Sequence, residues 1–420
     1  MRPRLLNTLP QTTRTSLGGD VLAGISVALV ALPLSIAIAI ASGAPPETGI
    51  ITAIIGGFFV SAFGGSLVQI GGPTGAFIVV VFSVIAEHGM SGLITATFMA
   101  GILLLIATAL RAGTLIRHIP EAVINGFTIG IAVIIAASQL NDALGLGIAN
   151  LPADFVPKIA TLWAGLGSFS FAAFAICVAT ILLVTLLRRA APRLPGLVVA
   201  LALTSAAVPL FNLPVDTIAD RFGPLSGALP KPTLPDLSPA KLAELFPSAL
   251  IIAFLAGVES LLSAIVADRM IADRHRPNAE LLAQGLANIA SPMFGGLPVT
   301  GAIARTATNV RAGGRTPLAG IVHALTLLVV MSVAAPLASQ LVLPALAGVL
   351  LLTAWHMAEV DKWPEFLKTR RSDVLLLCLT LFLTVFADLT IAIGTGVTLG
   401  LALRLQRRGV PDPDWDPRDK

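Results

Sequence analysis

The chain has 420 residues, 55% hydrophobic and only 12% charged, with a mean hydropathy of +0.90. A soluble domain carries about a quarter charged residues, so the composition excludes a soluble enzyme or a nucleic-acid module and implies a membrane protein with many spans. The formal charge of +4 says little until its distribution is read, and the two cysteines, Cys177 and Cys378, lie in apolar segments and read as small hydrophobes.

Residues 1–19 are polar and basic and hold no small-residue cleavage site, so they read as a short cytoplasmic segment rather than a signal peptide. Fourteen apolar segments follow, at 20–41, 46–65, 74–86, 91–110, 119–139, 164–187, 194–211, 245–267, 278–292, 299–310, 316–336, 342–358, 372–388 and 390–404. A crossing helix needs about 20 residues, so the third and the tenth segments are too short to cross as helices alone. In the first, Pro33 and Ser35 predict an interruption near the middle of the span. The longest connection, 212–244, is rich in Pro and Asp, and residues 405–420 form a polar tail.

With the N terminus inside, 22 of the 27 Lys and Arg residues fall on cytoplasmic connections and termini. Lys158, Arg221, Lys231 and Lys241 fall on the opposite side, and Arg305 lies within a span. This asymmetry predicts fourteen crossings with both termini cytoplasmic. The expected location is the bacterial inner membrane.

The chain also repeats. Asp20 and Glu244, which open the first and eighth segments, are 224 residues apart; Pro73 and Pro298 are 225 apart, and Pro120 and Pro344 are 224 apart. Seven segments, 20–211, are thus followed after the linker 212–244 by seven more, 245–404. An odd number of spans forces the second half to start from the opposite side, which makes an inverted repeat of the kind secondary transporters use.

"QIGGPTGAFIV", residues 69–79, and "FGGLPVTGAIART", residues 294–306, break the apolar runs at corresponding places. Each predicts extended chain that turns helical within the membrane, near Thr74 and near Val299. Pro suits a first helical turn, and Gly allows close approach. Each start leaves unpaired N–H groups and a positive dipole end, which lipid tolerates only where they face a site. Two such starts meeting near mid-membrane predict an anion pocket. Its expected lining is Ser35 with Thr74, Gly75, Ala76 and Phe77 at the first start and Thr300, Gly301, Ala302 and Ile303 at the second. Arg305, past the second start, is expected to grip the anion with its planar fork. Glu259 lies in mid-span within "FLAGVESLLSAIV", where a charged carboxylate is costly and by default functional; it reads as a proton-binding coupling residue. Asp268, Arg269, His275 and Arg276 read as an ion network at a turn. His88, His118, His323 and His356 lack metal-site clustering, and no metal or cofactor is expected.

The sequence resembles the SulP sulfate-permease family, whose animal members form solute carrier family 26. The resemblance covers residues of about 15–405 and is strongest in "GVESLLSAIVADRMIADRHRPNAELLAQGLANIASPMFGGLPVTGAIARTATNVRAGGRTPLAG", 257–320, with "GGDVLAGISVALVALPLSIAIAIASGAPPETGI", 18–50, and "GGPTGAF" in agreement. It implies an all-α fold of fourteen segments in a seven-plus-seven inverted repeat, with segments three and ten as half-helices. It also implies a core domain (20–110 and 245–336), a gate domain (119–211 and 342–404) and a homodimer. Family members carry sulfate, bicarbonate, chloride, oxalate or dicarboxylates. In similar bicarbonate carriers a carboxylate and a hydroxyl matching Glu259 and Ser263 help to hold sodium. Most members continue into a cytoplasmic STAS domain; no STAS domain lies in this sequence, and "RRGVPDPDWDPRDK" reads as the linker towards one. The expected activity is secondary transport of a small anion such as sulfate, bicarbonate or fumarate, coupled to protons through Glu259. The alternatives are a sodium-coupled bicarbonate symporter and an anion channel or exchanger.

Overall fold

In lipid every backbone polar group needs a partner within the chain, and long runs that are apolar on all faces meet this need as helices. The structure, a computed structural model, describes residues 2–11, 13–114, 120–149, 151–191, 195–387 and 389–406. The first half holds α1 (Arg4–Thr8), α2 (Arg14–Ala41), α3 (Pro46–Phe63), β1 (Gly71–Gly72) and α4 (Ile78–Ala109), the last preceded by a 3-10 turn at Gly75–Phe77. It continues with α5 (Glu121–Leu144), α6 (Phe155–Ala164), α7 (Phe171–Ala190), α8 (Gly196–Phe211) and α9 (Ile218–Phe222). The second half holds α10 (Pro239–Ile271), α11 (Pro277–Met293), β2 (Thr300–Gly301), α12 (Ile303–Arg311) and α13 (Leu318–Ser339). It ends with α14 (Leu343–Met357), α15 (Trp363–Phe366), α16 (Arg371–Phe386) and α17 (Leu389–Gln406). Among the described residues, eight helices are long and apolar enough to cross a membrane. Arg117, His118, Arg193 and the tail beyond 406 lie outside the described residues.

Segments three and four join as α4, bent at Gly89, whose φ of 68° is open to glycine and costly to other residues. The first span differs from expectation. α2 begins at Arg14, where Thr13 and Ser16 form a capping box, and it runs unbroken through Pro33. A proline removes a single rung, and packing of α2 on α3 and α13 carries the helix past it. Ser35 does not break the helix either: its hydroxyl donates back to the Ala31 carbonyl at 2.7 Å.

The helices fall into two packed groups. α10 and α11 pack on α4, α11 and α13 on α3, and α13 and α12 on α2. Separately, α14 and α16 pack on α5, α7 on α14 and α8, and α17 on α16. The groups touch where α14 meets α2 and where α5 meets the turn at Gly75–Phe77. The linker is tied to both: Thr217 bridges Val342, the Leu225 amide donates to Ser339, and Arg221 pairs with Asp142 at 2.7 Å.

Candidate functional site

The two Gly-Pro breaks come together. β1 and β2 form a two-residue antiparallel pair, Gly71 opposite Gly301 and Gly72 opposite Thr300. The glycines are needed for this approach. A Cβ on Gly301 would lie 2.0 Å from Gln69 Nε2, and one on Gly72 would lie 2.2 Å from Arg305 Nη1. The Ala302 amide extends the pairing by donating to the Ile70 carbonyl at 2.8 Å.

This pairing moves the second helix start. α12 begins at Ile303, not near Val299, because residues 299–302 are held extended by partners across the fold. Asn288 on α11 brackets Val299, accepting from its amide at 2.9 Å and donating to its carbonyl at 2.8 Å. Thr300 and Gly301 therefore lie before the helix, with the Thr300 hydroxyl turned onto the Ala256 carbonyl at 3.1 Å. The first start agrees with expectation: Thr74 is the last extended residue, and the turn of Gly75, Ala76 and Phe77 leads into α4. No side chain caps either start, so the first amides of both point outward without an intrahelical acceptor.

Four of the expected polar residues pair off at these starts, Thr74 with Glu259 and Arg305 with Ser35. The Thr74 hydroxyl donates to Glu259 Oε2 at 2.9 Å, placing a half-buried carboxylate beside the first start. Arg305 is 1% exposed, and its Nη2 donates to Ser35 Oγ at 3.0 Å. Its Nε and Nη1 are buried without a hydrogen-bond partner among the described residues. Ser263, one turn beyond Glu259, is buried and its hydroxyl also lacks a partner. Phe77 is buried, whereas Ile303 is 41% exposed, so the two starts differ in exposure. Met357 of α14 and Ile135 of α5 abut Gly75 from the other helix group.

A fully buried carboxylate is missing from the residues singled out in the sequence, where Glu259 was the mid-span carboxylate. Glu280 on α11 is fully buried. Its Oε2 accepts from the Gly65 and Ser66 amides at 2.8 and 3.1 Å, and its Oε1 accepts from Gln69 Nε2 at 2.8 Å and from Ser260 at 3.3 Å. Gln284 donates to Ser260 at 2.8 Å. Glu280, Gln284 and Asn288 stand four residues apart, so they form one polar stripe on α11, and that spacing is the signal that could have found them. The stripe holds both extended segments: Glu280 fixes the chain before β1, and Asn288 fixes the chain before β2. Thr52 of α3 adds a bond to the Leu297 amide at 2.7 Å. His323, also fully buried, lies against Gly57, and among the described residues neither ring nitrogen has a hydrogen-bond partner.

The expected ion network takes another form. Asp268 binds His275 at 2.7 Å, while Asp273 pairs with Arg4 at 2.8 Å and Arg276 donates to the Arg2 carbonyl at 2.8 Å. These contacts dock the N-terminal segment on the α10–α11 turn. Among the described residues no group of His, Cys, Asp and Glu is suited to a metal ion.

The profile of the sulfate permease family matches residues 17–380. The chain is 42% identical over 391 residues to a putative sulfate transporter, YvdB, of Bacillus subtilis, covering 92% of this chain and 73% of that protein. It is 32% identical to the bicarbonate transporter BicA of Picosynechococcus, covering 93% of this chain and 70% of that protein. Among solved structures, the transmembrane domain of a cyanobacterial BicA superposes with a TM-score of 0.80 at 28% identity, covering 94% of this chain and 98% of that one. The structure of SLC26A9 superposes with a TM-score of 0.87 at 16% identity, covering 97% of this chain and 68% of that one, and so shares the fold.

Proposed function

This chain belongs to the sulfate permease family and is a multi-pass membrane transporter rather than an enzyme; from that premise we propose that it is a proton-coupled symporter of a small oxyanion, sulfate, bicarbonate or a dicarboxylate such as fumarate. One observation carries the reading: two uncapped helix starts, stitched together by β1 and β2, lie beside a half-buried carboxylate and a buried arginine. Amide donors and dipole ends stabilise an anion there. In this reading Thr74, Gly75, Ala76, Phe77, Ala302 and Ile303 line the site. Arg305 and Ser35 supply charge and positioning from behind, and Thr300 and Gly301 shape the strand that supports it.

Glu259 explains the coupling. Ionised, it occupies the first helix start through Thr74 and repels an incoming anion. Protonated, it presents no charge to the anion, so proton and anion bind together. The fourteen segments form a seven-plus-seven inverted repeat with both termini in the cytoplasm of a bacterial inner membrane. The first helix group (20–110 and 245–336) is the core that carries the site, and the second (119–211 and 342–404) is the gate it moves against, in a homodimer.

Uptake of sulfate into proteoliposomes tests this. It should accelerate under an inward proton gradient without sodium, and Glu259→Gln should keep binding but lose the acceleration. A variant that responds as fully as wild type would overturn proton coupling. One observation favours a second reading. The unpartnered Ser263 hydroxyl lies one turn from Glu259, and together they offer oxygens to sodium; a strict sodium requirement for bicarbonate uptake would select it. Unitary currents would select a channel instead.

A further inference from the structure

Lys158 has no place in the site, yet it is only 3% exposed. It sits on the short helix α6, and burial pushes its ammonium below the ordinary lysine range, offset in part by the charge of Asp154 one turn earlier. Its Nζ donates to Ser138 Oγ on α5 at 3.1 Å. The Ser138 proton is already committed to the Ile134 carbonyl at 2.9 Å, so the hydroxyl oxygen is free to accept. On its other side the ammonium lies 5.4 Å from the centre of the Phe82 ring. Phe82 is on α4, which packs in the other helix group. The ammonium therefore spans the two groups, anchored by a hydrogen bond to one and drawn to the aromatic face of the other. Phe82 lies five residues beyond Phe77, roughly 7 Å along the helix from the site.

The opposite face carries the reverse arrangement. Arg188 ends α7 in the second group, beside His356 at 3.5 Å; burial lowers its guanidinium from the ordinary range, and the like charge of Arg311, which ends α12 in the first, adds to this. Attraction on one face and repulsion on the other favour the same relative placement of the two groups.

We propose that Lys158 is an interdomain latch, closing access to the site from its own face by holding Phe82, and that its release accompanies opening to that side. The proposal rests on the core-and-gate reading above. Release returns the ammonium to water, which offsets the lost contact and keeps the latch reversible.

Spin labels at Ser91→Cys and Gly167→Cys, both exposed and flanking this face, with exposed Cys378 replaced by Ala, test it by double electron–electron resonance in nanodiscs. Wild type should show a dominant short distance and a minor long one, with their ratio moved by saturating sulfate or bicarbonate. Lys158→Met and Phe82→Leu should each raise the long-to-short ratio about threefold or more, and the double variant should add little beyond the larger single effect. Unchanged ratios in both single variants, with the anion response intact, would overturn the latch and leave the two-body reading standing. A distribution that neither anions nor variants move would overturn both.

Discussion

Arg305 shows what a single side chain contributes here. Its guanidinium is fully buried, yet one hydroxyl is its whole hydrogen-bond complement among the described residues. A buried charge with spare donors is costly unless a counter-charge visits it. Hydrogen bonds to charged groups are worth about 1.5–3 kcal/mol, so Arg305→Ala should raise the KM for sulfate uptake about tenfold to a hundredfold. Arg305→Lys, which keeps the charge but loses the fork, should fall between. An unchanged KM in both variants, measured on folded protein, would remove Arg305 from binding. Glu259 and Arg305 were legible because a charge inside an apolar run is conspicuous. Glu280 was not, because it stands near the polar end of its segment. Its distant partners, Gly65, Ser66 and Gln69, bury it, and the local trace of this is its four-residue spacing from Gln284 and Asn288.

At the scale of elements, both chain breaks were legible, since Gly and Pro clusters are local signals. Their pairing was not, because Gly71 meets Gly301 across a separation with no local signature. The same distance effect misplaced the start of α12. Residues 299–302 have helical neighbours in sequence but are drawn straight by Asn288, β1 and Ile70. Pro33 failed as a breaker for the converse reason: tertiary packing outweighed a local signal. The pairing makes a sharp demand at Gly301, where a methyl would press to within 2.0 Å of Gln69. Gly301→Ala should abolish sulfate uptake in proteoliposomes while the protein still inserts and purifies as a folded species. Uptake within about twofold of wild type, a difference of under 1 kcal/mol, would mean that the strand pair is dispensable.

For the whole molecule, the charge map predicts which surface faces which compartment. Gly167, in the 3-10 turn Gly165–Ser168 after α6, and Gly313, beyond α12, have open space around their α-carbons. In right-side-out membrane vesicles, Gly167→Cys should react with an impermeant maleimide, and Gly313→Cys only after permeabilisation. The reverse pattern would invert the topology. The division into two helix groups was not legible in composition, because each group draws on both halves of the chain and the long spans are apolar on nearly every side. Donors from the two halves of the chain are sewn into a single unit, so a moving core would offer an anion the same chemical surroundings whichever bath it faces. Intrinsic affinity would then be equal from either side, and direction would come solely from the gradients and voltage across the bilayer. Under the proposed coupling, the protein would exchange free energy reversibly between two solutes, with efflux from loaded vesicles the mirror image of uptake.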